Sequence, residues 1–193
     1  MKSVGITGGI GSGKSYIARI IEKMGYPIYY ADIEAKKLMN KHPLIQKSLI
    51  DLFGSDIYFK GELNKDKLAG HIFQDENARL LVNQLVHPLV REAFSIWSSK
   101  QNSSLVFNEA AILYETGTYK QYHEIILVTA PAHERISRVI KRDKVSKEQV
   151  LDRIDTQWSD DRKLSLGPFE IINDGKQPLL IQIEEVIQQL LRE

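Results

Sequence analysis

Residues 8 to 15 read "GGIGSGKS", with glycine at four of the first six positions. A strand-like run, Ser3-Val4-Gly5-Ile6-Thr7, comes before them. After them Ile17, Ile20, Ile21 and Met24 recur at the three-and-four spacing of one apolar helix face. The stretch matches G-x-x-x-x-G-K-[ST] in a strand-loop-helix setting, which predicts a phosphate-binding loop. Glycines at Gly8, Gly9, Gly11 and Gly13 let the backbone amides of Gly8 to Ser15, Ile10 and Ser12 included, turn inward. Those amides and the positive end of the following helix make a nest for an anion. Lys14 can reach the outer phosphates of a nucleotide such as ATP, and Ser15 offers a hydroxyl to Mg²⁺, a cation that prefers oxygen. Tyr16 stands where many such loops carry a second small hydroxyl residue. It either packs on the helix or lies over the nucleotide.

The loop demands a sheet to stand on, and the rest of the chain supplies one. Pro27 to Tyr30, Leu105 to Phe107, Glu124 to Thr129 and Phe169 to Ile172 read as short buried strands. Residues 33 to 100 read as mostly helical, with breaks near Lys41-His42-Pro43 and from Gly54 to Gly61. Pro131 opens a further helix, and Ser146 to Gln149 fits a capping box. Asn173-Asp174-Gly175 reads as a turn, and Leu179 to Leu191 as an amphipathic helix. Strands separated by helices imply an α/β fold with a parallel sheet covered on both faces. Ligands of such folds bind beyond the carboxyl ends of the strands, where the glycine loop falls.

Composition narrows the chemistry. The 193 residues carry a net charge of +1, so no global field holds a nucleic acid, and no nucleic-acid partner is expected. With no cysteine there is no disulfide, thiolate metal site or cysteine nucleophile. No apolar run reaches membrane-spanning length, and the first residues enter a strand without a basic head or a long apolar stretch, so a cytoplasmic protein is expected. Oligomeric state is not legible.

A small-molecule kinase needs a carboxylate beside the acceptor hydroxyl, cations around the moving phosphoryl group and a lid. Asp32 directly follows the second strand, where it reads either as that base or as a helix N-cap. Arg135, Arg138 and Arg142 share a helix face. With Arg153, Arg162 and Lys163 they read either as a lid or, among the interleaved acids, as a solvated charged surface. Glu109 follows the third strand and either reaches Mg²⁺ through water or bonds nearby amides. His87, next to Pro88 in an apolar helical run, reads by itself as structural. A guanine reader of the form N-K-x-D is missing, which argues against a GTPase switch.

"TGGIGSGKS" (7 to 15), "ADIEAKKL" (31 to 38), "GELNKDKLAGHIF" (61 to 73), "LVHPLV" (85 to 90), "EAAILYE" (109 to 115), "RVIKRD" (138 to 143), "RIDTQ" (153 to 157) and "IINDG" (171 to 175) follow one another in family order. Along nearly its whole length the chain resembles the dephospho-coenzyme A kinases. The resemblance implies a three-layer P-loop kinase fold: a core over 1–32, 104–134 and 164–193, a helical CoA-side domain over 33–103, and a helical lid over 135–163. It implies transfer of the γ-phosphoryl group of ATP, with Mg²⁺, to the 3′-hydroxyl of the ribose of dephospho-CoA.

On this resemblance Asp32 is the catalytic aspartate, and Arg138 and Arg142 are lid arginines on the ATP side. Gln157 is a lid residue, His87 lies near the acceptor and Asn173 near the adenine. The acceptor side departs from the family. Lys36 and Lys65 stand where arginine is usual, which loses a bidentate fork. Tyr30 replaces an aspartate, and Ala111 replaces a proline ahead of Glu115. These departures keep two alternatives open: a kinase of another acceptor, such as a nucleoside monophosphate or a small sugar-like acid, and a nucleotide-binding regulator without turnover.

Overall fold

The computed structural model describes residues 1–192, without the side chains of residues 73 and 74. Along the chain run β1 (Lys2–Thr7), α1 (Lys14–Lys23), β2 (Ile28–Tyr30), α2 (Ala31–Lys41), α3 (Pro43–Phe53), β3 (Tyr58–Phe59), β4 (Glu62–Leu63), α4 (Lys65–Gln74), α5 (Glu76–Ser98), β5 (Leu105–Glu109), β6 (Glu124–Thr129), α6 (Ala132–Asp143), α7 (Lys147–Asp155), α8 (Asp160–Leu164), β7 (Phe169–Ile172) and α9 (Leu179–Arg192). Internal contacts divide the chain into two units, Met1–Tyr30 with Gln101–Glu193, and Ala31–Lys100.

In the first unit five strands lie in the order β2-β5-β1-β6-β7, every pair parallel. Parallel strands are buried on both faces, which is why the centres of β1, β5 and β6 read as mostly apolar. Ile6 of β1 sits in register with Glu109 on one side and Ile126 on the other. On one face Val4, Ile6, Phe107, Ile126 and Val128 pack with Ile17, Ala18 and Ile21 of α1 and Ile183, Ile187 and Leu190 of α9. Each of the larger side chains among them, fully buried, contributes roughly 1.5–3 kcal/mol. On the other face Gly5 leaves room for its neighbours, since a Cβ there would come within 2.6 Å of both Ile125 Cδ1 and Leu113 Cδ1. Glu109 is the last residue of β5, which runs two residues beyond the expected strand.

In the second unit α2 and α4 both pack along α5. Its core includes Ile45, Leu49, Ile57, Leu63, Leu68, Val82, Val86 and Val90. The break from Gly54 to Gly61 is not plain loop. It leads into the antiparallel pair β3–β4, joined by Lys60 and Gly61, both with positive φ, as in a type I′ hairpin turn. α2 begins at Ala31, immediately after β2, so Asp32 lies inside its first turn and is not its N-cap. Among the described residues no helix is long and apolar enough to cross a membrane.

Candidate active site

β1 ends at Thr7 and α1 begins at Lys14, and the six residues between them form the glycine loop. Gly13 is the N-cap of α1 at φ 94°, ψ 18°, a left-handed conformation that a side chain would strain. A Cβ on Gly13 would also overlap the side-chain amide of Asn173, and one on Gly9 would overlap the guanidinium of Arg135. Glycine at Gly13 is thus favoured by torsion as well as by close approach, and at Gly9 by close approach alone.

At the carboxyl end of the sheet, Lys14 and Ser15 meet Glu109. Ser15 Oγ donates to Glu109 Oε1 at 3.0 Å, and Lys14 Nζ stands 3.8 Å from the same oxygen. Glu109 is almost fully buried, so a carboxylate there needs cations or donors around it. One hydroxyl and one carboxylate oxygen at the edge of an anion nest form the hard-oxygen donor set that suits Mg²⁺ shared with phosphates. Among the described residues no group of three or more His, Asp or Glu side chains offers another metal cage.

The rest of the loop is held from outside. Ile10 N–H donates to Gln157 Oε1 at 2.8 Å, and Arg135 Nε donates to the Ile10 carbonyl at 3.0 Å. Arg138 donates to the carbonyls of Gly11 at 3.5 Å and Asn173 at 3.0 Å. Asn173 Nδ2 donates to the Ser12 carbonyl at 2.8 Å, and its backbone N–H to Thr129 O at 2.8 Å. So Arg138, Gln157 and Asn173 gather on the loop, 125 or more residues away in sequence. Arg142 does not join them. It forms a two-pronged pair with Asp143, at 2.7 and 3.1 Å, and this pair holds the Asp143 carboxyl below its ordinary range. Tyr16 is 59% exposed at the first turn of α1, so it is not packed into the core.

Within the second unit Asp32 and His87 are electrostatically coupled. Burial pushes the His87 imidazole below its ordinary pKa and Arg91 adds to this, while Asp32 opposes it. Pro88 follows His87 inside α5 and has no N–H for the Gln84 carbonyl. Lys36 and Lys65 line a groove of about 490 Å³ together with Ile33, Lys41, Glu62 and Leu63. Among the described residues neither lysine has a carboxylate partner within ion-pair distance. Asn40 builds the groove wall, its Oδ1 accepting from Leu63 N–H at 2.8 Å.

A family model described as dephospho-CoA kinase matches residues 2–178. The chain belongs to the dephospho-CoA kinase family. A Bacteroides fragilis dephospho-CoA kinase is 43% identical over 185 residues, which span 95% of this chain and 90% of that one. The solved Thermus thermophilus protein TT1252 superposes with a TM-score of 0.84 at 31% identity, covering 99% of this chain and 96% of that one. Dephospho-CoA kinase from Campylobacter jejuni superposes with a TM-score of 0.69 at 24% identity, covering 97% and 96%, a likeness of fold. As a member of the family the protein is an ATP-dependent kinase of coenzyme A biosynthesis on a P-loop α/β fold. Sequence reasoning grouped Arg135 with the lid arginines but did not single it out as a loop residue. It placed Lys163 with the same lid-or-surface cations and gave Asp160 and Glu115 no role in the site.

Proposed function

We propose that the protein transfers the γ-phosphoryl group of ATP to the ribose 3′-hydroxyl of dephospho-CoA, giving CoA and ADP, the last step of coenzyme A biosynthesis in the cytoplasm. The observation that carries this reading is the meeting of Lys14 and Ser15 on Glu109 beside the loop, in a chain of this family. Phosphoryl transfer asks a protein mainly for positioning and for charge where charge develops. The loop amides and Lys14 supply both to the β- and γ-phosphates. Ser15 and Glu109 would hold Mg²⁺, which when bound neutralises charge on the phosphate oxygens.

Asp32 accepts the proton of the 3′-hydroxyl. The oxygen then forms its bond to the γ-phosphorus while the bond to the bridging oxygen breaks, and ADP leaves with that electron pair. Arg138, already on the loop, offsets charge on the transferring group. Arg142 joins it after leaving Asp143, as a lid residue would. Lys36, Lys65 and His87 face the acceptor, Gln157 closes on the ATP side, and Asn173 and Tyr16 border the nucleotide.

ADP release measured with ATP, Mg²⁺ and each of dephospho-CoA, AMP, CMP and shikimate tests the reading. Turnover with dephospho-CoA alone supports it. Turnover with another acceptor, or with none, refutes it.

A further inference from the structure

The backbone of Ile10 is gripped on both sides, and both grips lead to the same short segment. Its N–H is held by Gln157 and its carbonyl by Arg135. The next residue after Gln157, Trp158, donates its N–H to Glu115 Oε1 at 2.9 Å. The same carboxylate oxygen lies 2.9 Å from Nζ of Lys163, a lysine with no solvent exposure. Arg135, meanwhile, pairs through Nη1 with Asp160 Oδ2 at 3.0 Å, and Asp160 opens the helix that carries Lys163. The contacts close into a ring: Ile10 to Gln157, Trp158 to Glu115, Glu115 to Lys163, α8 to Asp160, Asp160 to Arg135, and Arg135 back to Ile10. Trp158 is further clamped by the Arg162 guanidinium, 3.3 Å above its ring.

A buried ion pair is a poor device for stability alone, because desolvation offsets most of the attraction, and apolar residues of similar volume often do as well. Here the pair is also incompletely satisfied. Glu115 Oε2 is buried without a hydrogen-bond partner, and the Lys163 contact lacks hydrogen-bond alignment although it is short. What the arrangement does accomplish is directional. Glu115 fixes the backbone of Trp158, which fixes where Gln157 can point. Gln157 in turn sets the orientation of the Gly9–Ile10 peptide, while Arg135 sets that of the Ile10–Gly11 peptide. With glycine on both sides of Ile10, these peptides have little torsional restraint of their own.

We propose that Glu115 and Lys163 are positioning residues for ATP, holding the Ile10 peptide through Trp158 and Gln157 so that the glycine loop is preorganised before nucleotide binds. Neither residue touches the reacting atoms. Losing the ring frees the peptide to rotate, and ATP binding must then order it. The inference rests on the kinase reading above.

Glu115→Gln, Lys163→Met and Gln157→Ala test it, with the double variant Glu115→Gln/Gln157→Ala. A net hydrogen bond of about 1 kcal/mol corresponds to roughly a five- to tenfold change in affinity. The KM for ATP rises by about that factor in each single variant, kcat per folded enzyme and the KM for dephospho-CoA stay within about twofold, and the double variant loses no more than the worse single. Backbone amide exchange at Ile10 speeds up in Glu115→Gln and Lys163→Met as it does in Gln157→Ala. Losses that multiply in the double variant overturn the proposal, as does a lower melting temperature with ATP affinity and Ile10 exchange unchanged. Gln157→Ala, a change at a partly exposed side chain, keeps the test informative if Lys163→Met fails to fold. If the wild-type protein does not phosphorylate dephospho-CoA, the kinase reading fails, and Ile10 exchange still decides whether the ring exists.

Discussion

The glycine loop and the second unit are built on opposite plans. Around the loop nearly every functional side chain is tied to another: Ser15 and Lys14 to Glu109, Gln157 and Arg135 to Ile10, Arg138 to Gly11 and Asn173. In the second unit Asp32 is exposed, and Lys36 and Lys65 stand around an open groove without carboxylate partners among the described residues. A triphosphate presents the same charges to every enzyme of this kind, so its cradle can be rigid in advance. An acceptor with a long flexible arm is better met by side chains that adjust. Lysine in place of arginine fits the second plan, since an ammonium on a four-carbon stem gives up the planar fork for reach.

Substitutions can break this contrast. The largest effect is expected at Lys14→Ala, which removes the charge that, in the proposed reading, reaches the phosphates. kcat should fall by about a thousandfold or more, as read by ADP release. Asp32→Asn comes next: loss of general-base catalysis costs roughly 10²–10⁴ in kcat, while the KM for ATP stays near wild type. Lys36→Ala and Lys65→Ala belong to the adjustable side. Each should raise the KM for dephospho-CoA about five- to tenfold and leave the KM for ATP alone, and a change in the ATP constant instead would dissolve the contrast.

The smallest effect is a slope. His87 has its pKa depressed by burial, so near and below the unfolded value of about 6.5 the unfolded chain binds more protons than the folded one. Stability therefore falls as pH drops through that region. Denaturant melts of wild type and His87→Gln between pH 7.5 and pH 5 should show the wild-type loss and a flatter curve for the variant.

What could be read in advance was what is local. The loop declares itself in eight consecutive residues, and strands β6 and β7 in short, mostly apolar segments whose limits match those observed. The capping box at Ser146 and Gln149 is present with both of its bonds. The β3–β4 hairpin was missed because its turn uses Lys60 and Gly61, and lysine at the first turn position hides the usual Asn-Gly or Asp-Gly signal. Asp32 was open to an N-cap reading because nothing in the sequence says that α2 starts directly at the end of β2.

The supports of the loop were harder still. Asn173 reaches Ser12 across 161 residues, Glu115 reaches Trp158 across 43, and Arg135 reaches Asp160 across 25. No periodicity encodes such pairs. Arg135 and Arg138, three apart on one helix face, were the only legible hint that α6 presents cations to a common target.

The division of labour between the two units is tested most directly by one variant measured two ways. ATP binding by calorimetry and kcat with dephospho-CoA are determined for Asp32→Asn beside wild type. Unchanged ATP affinity with kcat lowered at least a hundredfold is the predicted result. A kcat near wild type, or a loss of ATP affinity in step with it, would contradict the account.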